Sequence, residues 1–396
     1  MTALPATADA VIVGGGINGA AIAFYLTRAG MRDVIILESG AAGAAASSRG
    51  AGIIRTYYTN PSEAELAVRS LAVFRNWEEE VGGSAGYSPT GFLWLASPSQ
   101  EAALRSAVDG QREMGVSSEF LGADELRRLQ PHLNTDGIVA IYEAFGGYGD
   151  PGRATASLHA AARRQGARLL ENQAVTALHR EGGRVRGVST AHGNIEAPIV
   201  VLAAGAWSAP LAATVGIDLP LIPTRMTTGT IRHAPFAASA MTFIDASSDT
   251  FFRPVGEEGV AHISIRDDRH NTLLAQDGTW RDEPVSEAAS RDGILRLRSR
   301  IPGLQASPLR AWVGPDGITP DRRAIYGPVE GINGLHLCVG GNYKGFKVAP
   351  AVGKSMADLI LTGTSDIDLT AFRLSRFDAS EAPGRQPPAY GLGDVA

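Results

Sequence analysis

Apolar residues follow two rhythms along this chain. Unbroken apolar runs, "AVIV" (10–13), "DVIILE" (33–38) and "IVVLAAG" (199–205), fit strands covered on both faces, as in a parallel sheet. Helical spacing fills the stretch between the first two, ending at Gly30, and returns over about 62–81, 99–115 and 122–131. "DPGRATASLHAAARRQGARLLENQAVTAL" (150–178) predicts a helix followed by one strand. "GFLWLA" (91–96) reads as a strand, and "SSDTFFRPVGEEGVAHISI" (247–265) alternates as a hairpin with its loop at Gly256–Gly259. The strand–helix alternation that opens the chain is thus interrupted. After Glu38 comes the small-residue stretch "GAAGAAASSRGAG" (40–52), and a second layer is inserted twice.

Candidate chemistry begins where the first strand meets the first helix. Gly14, Gly16 and Gly19 complete Gly-x-Gly-x-x-Gly directly after "AVIV", and Glu38 closes the second strand. In such a loop the glycines serve a tight turn, close approach of a pyrophosphate, and close helix–strand packing. The helix N-terminus offers oriented N–H groups to phosphates. Glu38 can accept hydrogen bonds from a ribose, and it would repel a 2′-phosphate. The pattern predicts a bound dinucleotide, with FAD and a nicotinamide cofactor both open on the motif alone. A second glycine motif is misleading. "GFKVAPAVGKS" (345–355) ends like a triphosphate-binding loop, but the Gly required five residues before Gly353 is Val348.

Composition narrows the classes. The 396 residues suggest two or three domains. A net charge of −5 without any Lys/Arg block argues against a nucleic-acid partner. The single cysteine, Cys338, forms no intrachain disulfide, and its apolar neighbours predict an inert buried thiol. No Cys/His spacing makes a metal site. The N-terminus has no signal-peptide pattern, and the long apolar tract 197–223 is broken by Gly and Pro into a strand and a short helix. No membrane span is expected, and the expected location is cytoplasmic. The tail 382–396 is Pro/Gly-rich and reads as a plain terminus or surface arm.

Four segments in a fixed order resemble the D-amino-acid oxidase superfamily of FAD-dependent oxidoreductases, most of all its sarcosine oxidase and glycine oxidase branch. They are the glycine loop with Glu38, "SSRGAGIIR" (47–55), "VVLAAGAWS" (200–208) and "TPDRRAIYGPVEGINGLHLCVGGNYKGFKVAPAVGKSMADLI" (319–360). The resemblance covers nearly the whole chain. It implies an α/β FAD-binding Rossmann-like domain, discontinuous in sequence, and an α+β substrate domain on a mainly antiparallel sheet. The expected FAD domain comprises 1–85, 150–218 and 316–380, the substrate domain 86–149 and 219–315, and the tail 381–396. Implied FAD contacts come from Gly14, Gly16, Ile17, Asn18, Gly19, Glu38, Ser47 and Ser48. Further contacts are implied from Val175, Ala204, Gly205, Lys344, Gly345, Phe346 and Lys347. The helix after Pro350 is expected to aim its positive end at the flavin, with Lys354 exposed on it and Ser355 packed. Some relatives tether FAD through a Cys near the position of Gly314. This chain has none, so noncovalent FAD is expected.

The resemblance also implies the substrate site. Arg55 and Lys347 stand where a carboxylate clamp would be, a planar fork and a point charge. Tyr343 replaces a Gly of the family's Gly-His-Gly-Phe and narrows the space near the flavin. His262 falls where many relatives have an O2-activating Lys, and a protonated His there could serve instead. Phe251, Phe252 and Arg253 either line the pocket or fill the core. The implied activity is oxidation of the C–N bond of a small amino acid or N-methyl amino acid. A hydride passes to flavin N5, the imine hydrolyses, and O2 reoxidises the flavin to give H2O2. An oxidase or dehydrogenase of a larger amine or biosynthetic intermediate, using another electron acceptor, is the alternative. A noncatalytic flavin-binding subunit comes third.

Overall fold

The computed structural model describes residues 4–236, 239–256, 259–266 and 284–378. The readings made for the tail lie outside the described residues. Two main sheets carry the fold. The first has six strands, with Ala10–Val13 between Val34–Leu37 and Val200–Leu202. Arg168–Leu170 extends it on one side, and Leu335–Val339 then Ile325–Pro328 on the other. Every pair is parallel except the last. The continuous apolar runs are explained by cover on both faces. The helices Ile17–Arg28, Pro61–Arg75, Pro151–Arg164 and Gly345–Thr362 pack on one face. A small antiparallel sheet (Val175–Glu181, Arg184–Thr190, Gly193–Glu196) packs on the other.

The second sheet has eight strands, in the order Ala306–Ile318, Ile222–His233, Val260–Ser264, Thr250–Pro254, Thr242–Asp245, Phe92–Ala96, Val139–Glu143 and Ser118–Leu121. It is antiparallel apart from the pair Thr242–Asp245 and Phe92–Ala96. One face buries Leu93, Phe243, Phe252 and Ile263 under the helices Ala123–Leu129 and Glu287–Arg300. The opposite face presents Trp94, Ile141, Ile244 and Phe251 to Ile53 and Tyr57. The expected fold class, a Rossmann-like parallel sheet plus a mainly antiparallel one, is what the chain forms. Among the described residues no helix is long and apolar enough to cross a membrane.

Two expectations need correction. The region 168–178 holds two strands, not one. Arg168–Leu170 completes the edge of the parallel sheet, and Val175–Glu181 then starts the small antiparallel sheet, burying only Leu178. The last long helix starts at Gly345, five residues before Pro350, so the proline sits inside it. The ring removes a backbone donor there. The next N–H, that of Ala351, donates to Ser70 Oγ at 3.1 Å on the neighbouring helix. The Gly-Lys-Ser sequence is a packing signature. A Cβ on Gly353 would stand 2.6 Å from that of Ala21, so the glycine lets this helix approach Ile17–Arg28 closely. Lys354 is exposed and pairs with Asp358, while Ser355 is buried.

Candidate functional site

A cavity of about 700 Å³ lies where the two main sheets meet, lined by strand ends and loops of both. The glycine loop and Glu38 form part of its wall. Gly14 has φ +115°, and a Cβ there would fall 2.4 Å from the Ala203 carbonyl oxygen, so only glycine fits the turn. Gly16 caps the helix, and Ile17 N donates to Ser47 Oγ at 2.9 Å. Asn18 lines the cavity with its Oδ1 buried and without a hydrogen-bond partner. Glu38 fixes the loop from beneath, its Oε2 accepting from Gly15 N at 2.8 Å and its Oε1 from Gly40 N at 2.9 Å. A glycine-rich loop and a helix N-terminus open to the cavity fit a dinucleotide phosphate group. Val175, Ala204, Gly205, Gly345 and Phe346 line the same cavity.

Charged groups converge on another part of this wall. Arg55 is 1 % exposed. Its guanidinium stands 4.2 Å from the Tyr58 ring centre and 4.9 Å from that of Trp94, and it donates to the Tyr57 carbonyl. Glu143 holds the backbone beyond it, accepting from Thr56 N at 2.8 Å and Tyr57 N at 2.6 Å, and burial pushes its carboxyl above the ordinary range. Lys347 is buried and donates to the Tyr343 carbonyl at 3.3 Å. Burial first, then the charges of Arg55 and Lys344, push its ammonium well below the usual lysine range. Tyr343 lines the cavity with φ +63°, following Asn342 at φ +47°.

Asp316 joins Arg55, Tyr343 and Lys347 on this wall, and the sequence patterns did not single it out. Its Oδ1 accepts from Gly317 N at 2.8 Å and its Oδ2 from Tyr343 N at 2.6 Å. Burial nonetheless pushes its carboxyl up to about 6. In the chain it is the acid of "GPDG", indistinguishable by local pattern from a turn residue. Two cations expected in one pocket without an acid nearby were the only available hint.

Four expected contacts stand elsewhere. Lys344 turns away from the cavity, its Nζ 2.8 and 2.9 Å from the Glu63 carboxylate and 3.1 Å from the Arg322 carbonyl. A buried ammonium needs a counter-charge, and Glu63 supplies it from a helix 281 positions away. His262 lies inside the eight-stranded sheet rather than on the cavity wall. It packs between the rings of Phe251 (5.6 Å) and Trp312 (5.0 Å), with Nδ1 3.3 Å from Arg253. Burial and the Arg253 charge push its pKa well below the usual value, so it is neutral and the expected protonated histidine does not form. Ser48 is exposed. Gly19 packs against the Gly14 carbonyl, where a Cβ would come within 2.0 Å, and does not line the cavity. Of the three strand residues, Phe251 lines the cavity and Phe252 stacks on Phe243 on the far face. Arg253 lies over the Tyr148 ring, off the cavity wall. Cys338 is buried, and burial pushes its thiol far above the ordinary range.

The family model described as DAO, FAD dependent oxidoreductase, matches residues 9–359. The chain is 28% identical over 399 residues to 4-methylaminobutanoate oxidase (formaldehyde-forming) of Paenarthrobacter nicotinovorans, covering 96% of this chain and 46% of that protein. It therefore spans about half the length of that relative. It is 30% identical over 382 residues to sarcosine oxidase subunit beta of Rhizobium meliloti (strain 1021), covering 93% and 88%. The crystal structure of L-proline dehydrogenase from P. horikoshii superposes with a TM-score of 0.84 at 26% identity, covering 96% of this chain and all of that one.

The Lys344–Glu63 pair yields a stability test. Removing one member of a buried ion pair costs about 3–5 kcal/mol. Glu63→Gln should lose stability on that scale in urea unfolding. Adding Lys344→Met to the same protein should recover part of the loss, because no uncompensated charge remains.

Proposed function

The chain belongs to the FAD dependent oxidoreductase family, and from that premise we propose that it oxidises the C–N bond of a small amino acid or N-methyl amino acid. One observation carries the reading: two buried cations, Arg55 and Lys347, share a cavity with the glycine loop. A guanidinium fork and an ammonium together suit a carboxylate. The activities named for the relatives concern 4-methylaminobutanoate, sarcosine and L-proline, each a secondary amine bearing a carboxylate. FAD bound in the cavity supplies the acceptor for the hydride leaving the carbon beside nitrogen.

The work of the chain itself is to bind and orient. Gly14, Gly16, Ile17 and Asn18 hold the pyrophosphate, and Glu38 with Val175 the adenosine end. Ala204, Gly205, Gly345 and Phe346 bound the remainder. Arg55 and Lys347 hold the substrate carboxylate, which limits the directions in which its C–H bond can point. Tyr343 and Phe251 wall the amine end and keep water from it. The oxidised C=N product is then hydrolysed by water. FAD is held noncovalently in this reading, since the stretch around Gly314, where the resemblance places the tethering Cys, has no cysteine, and burial keeps the Cys338 thiol protonated. A second reading, a dehydrogenase passing electrons to an acceptor other than O2, is favoured by the neutral His262 buried off the cavity.

The test is anaerobic bleaching of the holoenzyme's visible flavin band. Sarcosine, other N-methyl amino acids, proline and glycine are compared with matched amines lacking the carboxylate. Bleaching confined to the acids is expected, and Arg55→Lys should weaken it about tenfold or more in substrate concentration. Equal bleaching by the decarboxylated amines would overturn the clamp. Admitting air then separates oxidase from dehydrogenase. Acid precipitation of the same protein should leave the yellow colour in the supernatant; colour retained on the pellet would show a covalent link.

Lys347 adds a pH signature. Its depressed pKa means that a bound carboxylate restores the charge and takes up a proton. Affinity is full below the free-site pKa and falls, by up to about tenfold per pH unit, as pH rises above it. Dissociation constants for pyrrole-2-carboxylate measured between about pH 7 and 10 should rise in the wild-type holoenzyme and stay flat in Lys347→Met. A wild-type profile equally flat would remove Lys347 from the clamp.

A further inference from the structure

Among the described residues, Asp316 is the one acid sharing the cavity wall with Arg55 and Lys347 besides Glu38, assigned above to the adenosine end. It stands near the end of the edge strand Ala306–Ile318, opposite Thr224. Each of its oxygens accepts one backbone N–H, from Gly317 and from Tyr343, so each keeps lone-pair capacity for a further donor. The side chain is withdrawn from bulk water, and what remains exposed of the residue lines the cavity. A loop clasp alone would account for its two hydrogen bonds. The carboxylate also balances part of the charge of Lys347, and its remaining lone pairs stay open to the cavity. Two cations and one anion on one wall are the complement of a zwitterion, with carboxylate to Arg55 and Lys347 and positive nitrogen to Asp316.

We infer that Asp316 docks the positively charged nitrogen of the incoming substrate and thereby selects amino acids over plain carboxylates; before the hydride leaves, that nitrogen loses its proton to water, so the C=N product forms from the neutral amine. The inference rests on the carboxylate clamp proposed above. The local electrostatics agree with it. Burial holds the Asp316 carboxyl up to about 6, despite two N–H donors and the nearby Lys347, and a cation at the remaining lone pairs restores its charge. The other charged or titratable groups on the cavity wall are Glu38, Arg55, Cys338, Tyr343 and Lys347, and Arg266 and Arg322 act on the Tyr343 phenol.

Two isosteric probes isolate the charge. Glycine betaine and 3,3-dimethylbutanoate have the same shape and carboxylate, and differ in a quaternary nitrogen against a carbon. Their dissociation constants for the holoenzyme are read from the perturbed visible flavin band. The wild type should favour betaine by about 10- to 100-fold, the scale of a contact between charged groups. Asp316→Asn should bring that ratio close to one. The variant also loses a backbone acceptor, and a loosened loop weakens both probes together; the ratio therefore carries the test. A ratio unchanged in Asp316→Asn overturns the inference. A wild type that binds 3,3-dimethylbutanoate without preferring betaine also overturns it, and leaves the clamp standing. Binding of neither probe removes both. Should the variant fail to fold, the wild-type ratio carries the test: it should fall from about pH 8 to about pH 5.5 as the acid is protonated, and a flat ratio overturns the inference.

Discussion

A charge taken out of water must find a partner, and that constraint organises the region where the two sheets meet. Lys344 meets it through Glu63 and the Arg322 carbonyl. Arg300 meets it through Asp245 at 2.8 Å, deep in the eight-stranded sheet. Arg55 meets it through aromatic faces and a backbone carbonyl, while Glu143 braces the backbone that carries it. At the cavity wall the balance is deliberately incomplete in chemical terms. Lys347 and Asp316 are both displaced from their ordinary ionisation, in opposite directions, by the same burial. Groups displaced this way gain most from a ligand that brings the missing charges, and this is why the functional reading centres on them.

The same accounting separates what local sequence could reveal from what it could not. The glycine loop was legible because every requirement of it is local: a buried strand, a left-handed Gly14, a helix start and an acid one strand later. Arg55 and Lys347 were legible only through the resemblance, because nothing in their own neighbourhoods distinguishes a clamp cation from a surface one. The fate of Lys344 was not legible at all. Its partner lies in another helix, and only the folded chain decides that its side chain turns outward from the cavity. His262 failed for a similar reason. The strand was recognised, but its register against Arg253 sets both the burial and the positive neighbour that keep the ring neutral.

The loop before the last long helix shows how these charges are held in place. Asn342 and Tyr343 both take left-handed backbone conformations, at a cost of about 1–2 kcal/mol each for residues with a Cβ. A glycine at position 343 would avoid that cost. Here three contacts offset it: Tyr343 N to Asp316, Thr319 N to Asn342 Oδ1 at 2.9 Å, and the Lys344–Glu63 pair immediately after. The conformation delivers two things at once. It places the Tyr343 ring on the cavity wall, and it sets the carbonyl that receives the Lys347 ammonium.

The loop and the acid therefore depend on each other. Asp316 stabilises a strained turn, and the turn in return holds Oδ2 through the Tyr343 N–H, while Gly317 N on the same strand holds Oδ1, so the carboxylate is fixed against rotation. A carboxylate fixed in this way pays little orientational entropy when a cation arrives, which is the advantage of a preorganised site. Lys347 is fixed in parallel through the Tyr343 carbonyl. One strained tyrosine thus couples the acid and the cation on this wall, through its own N–H and carbonyl, so a change at position 343 would shift both groups rather than one.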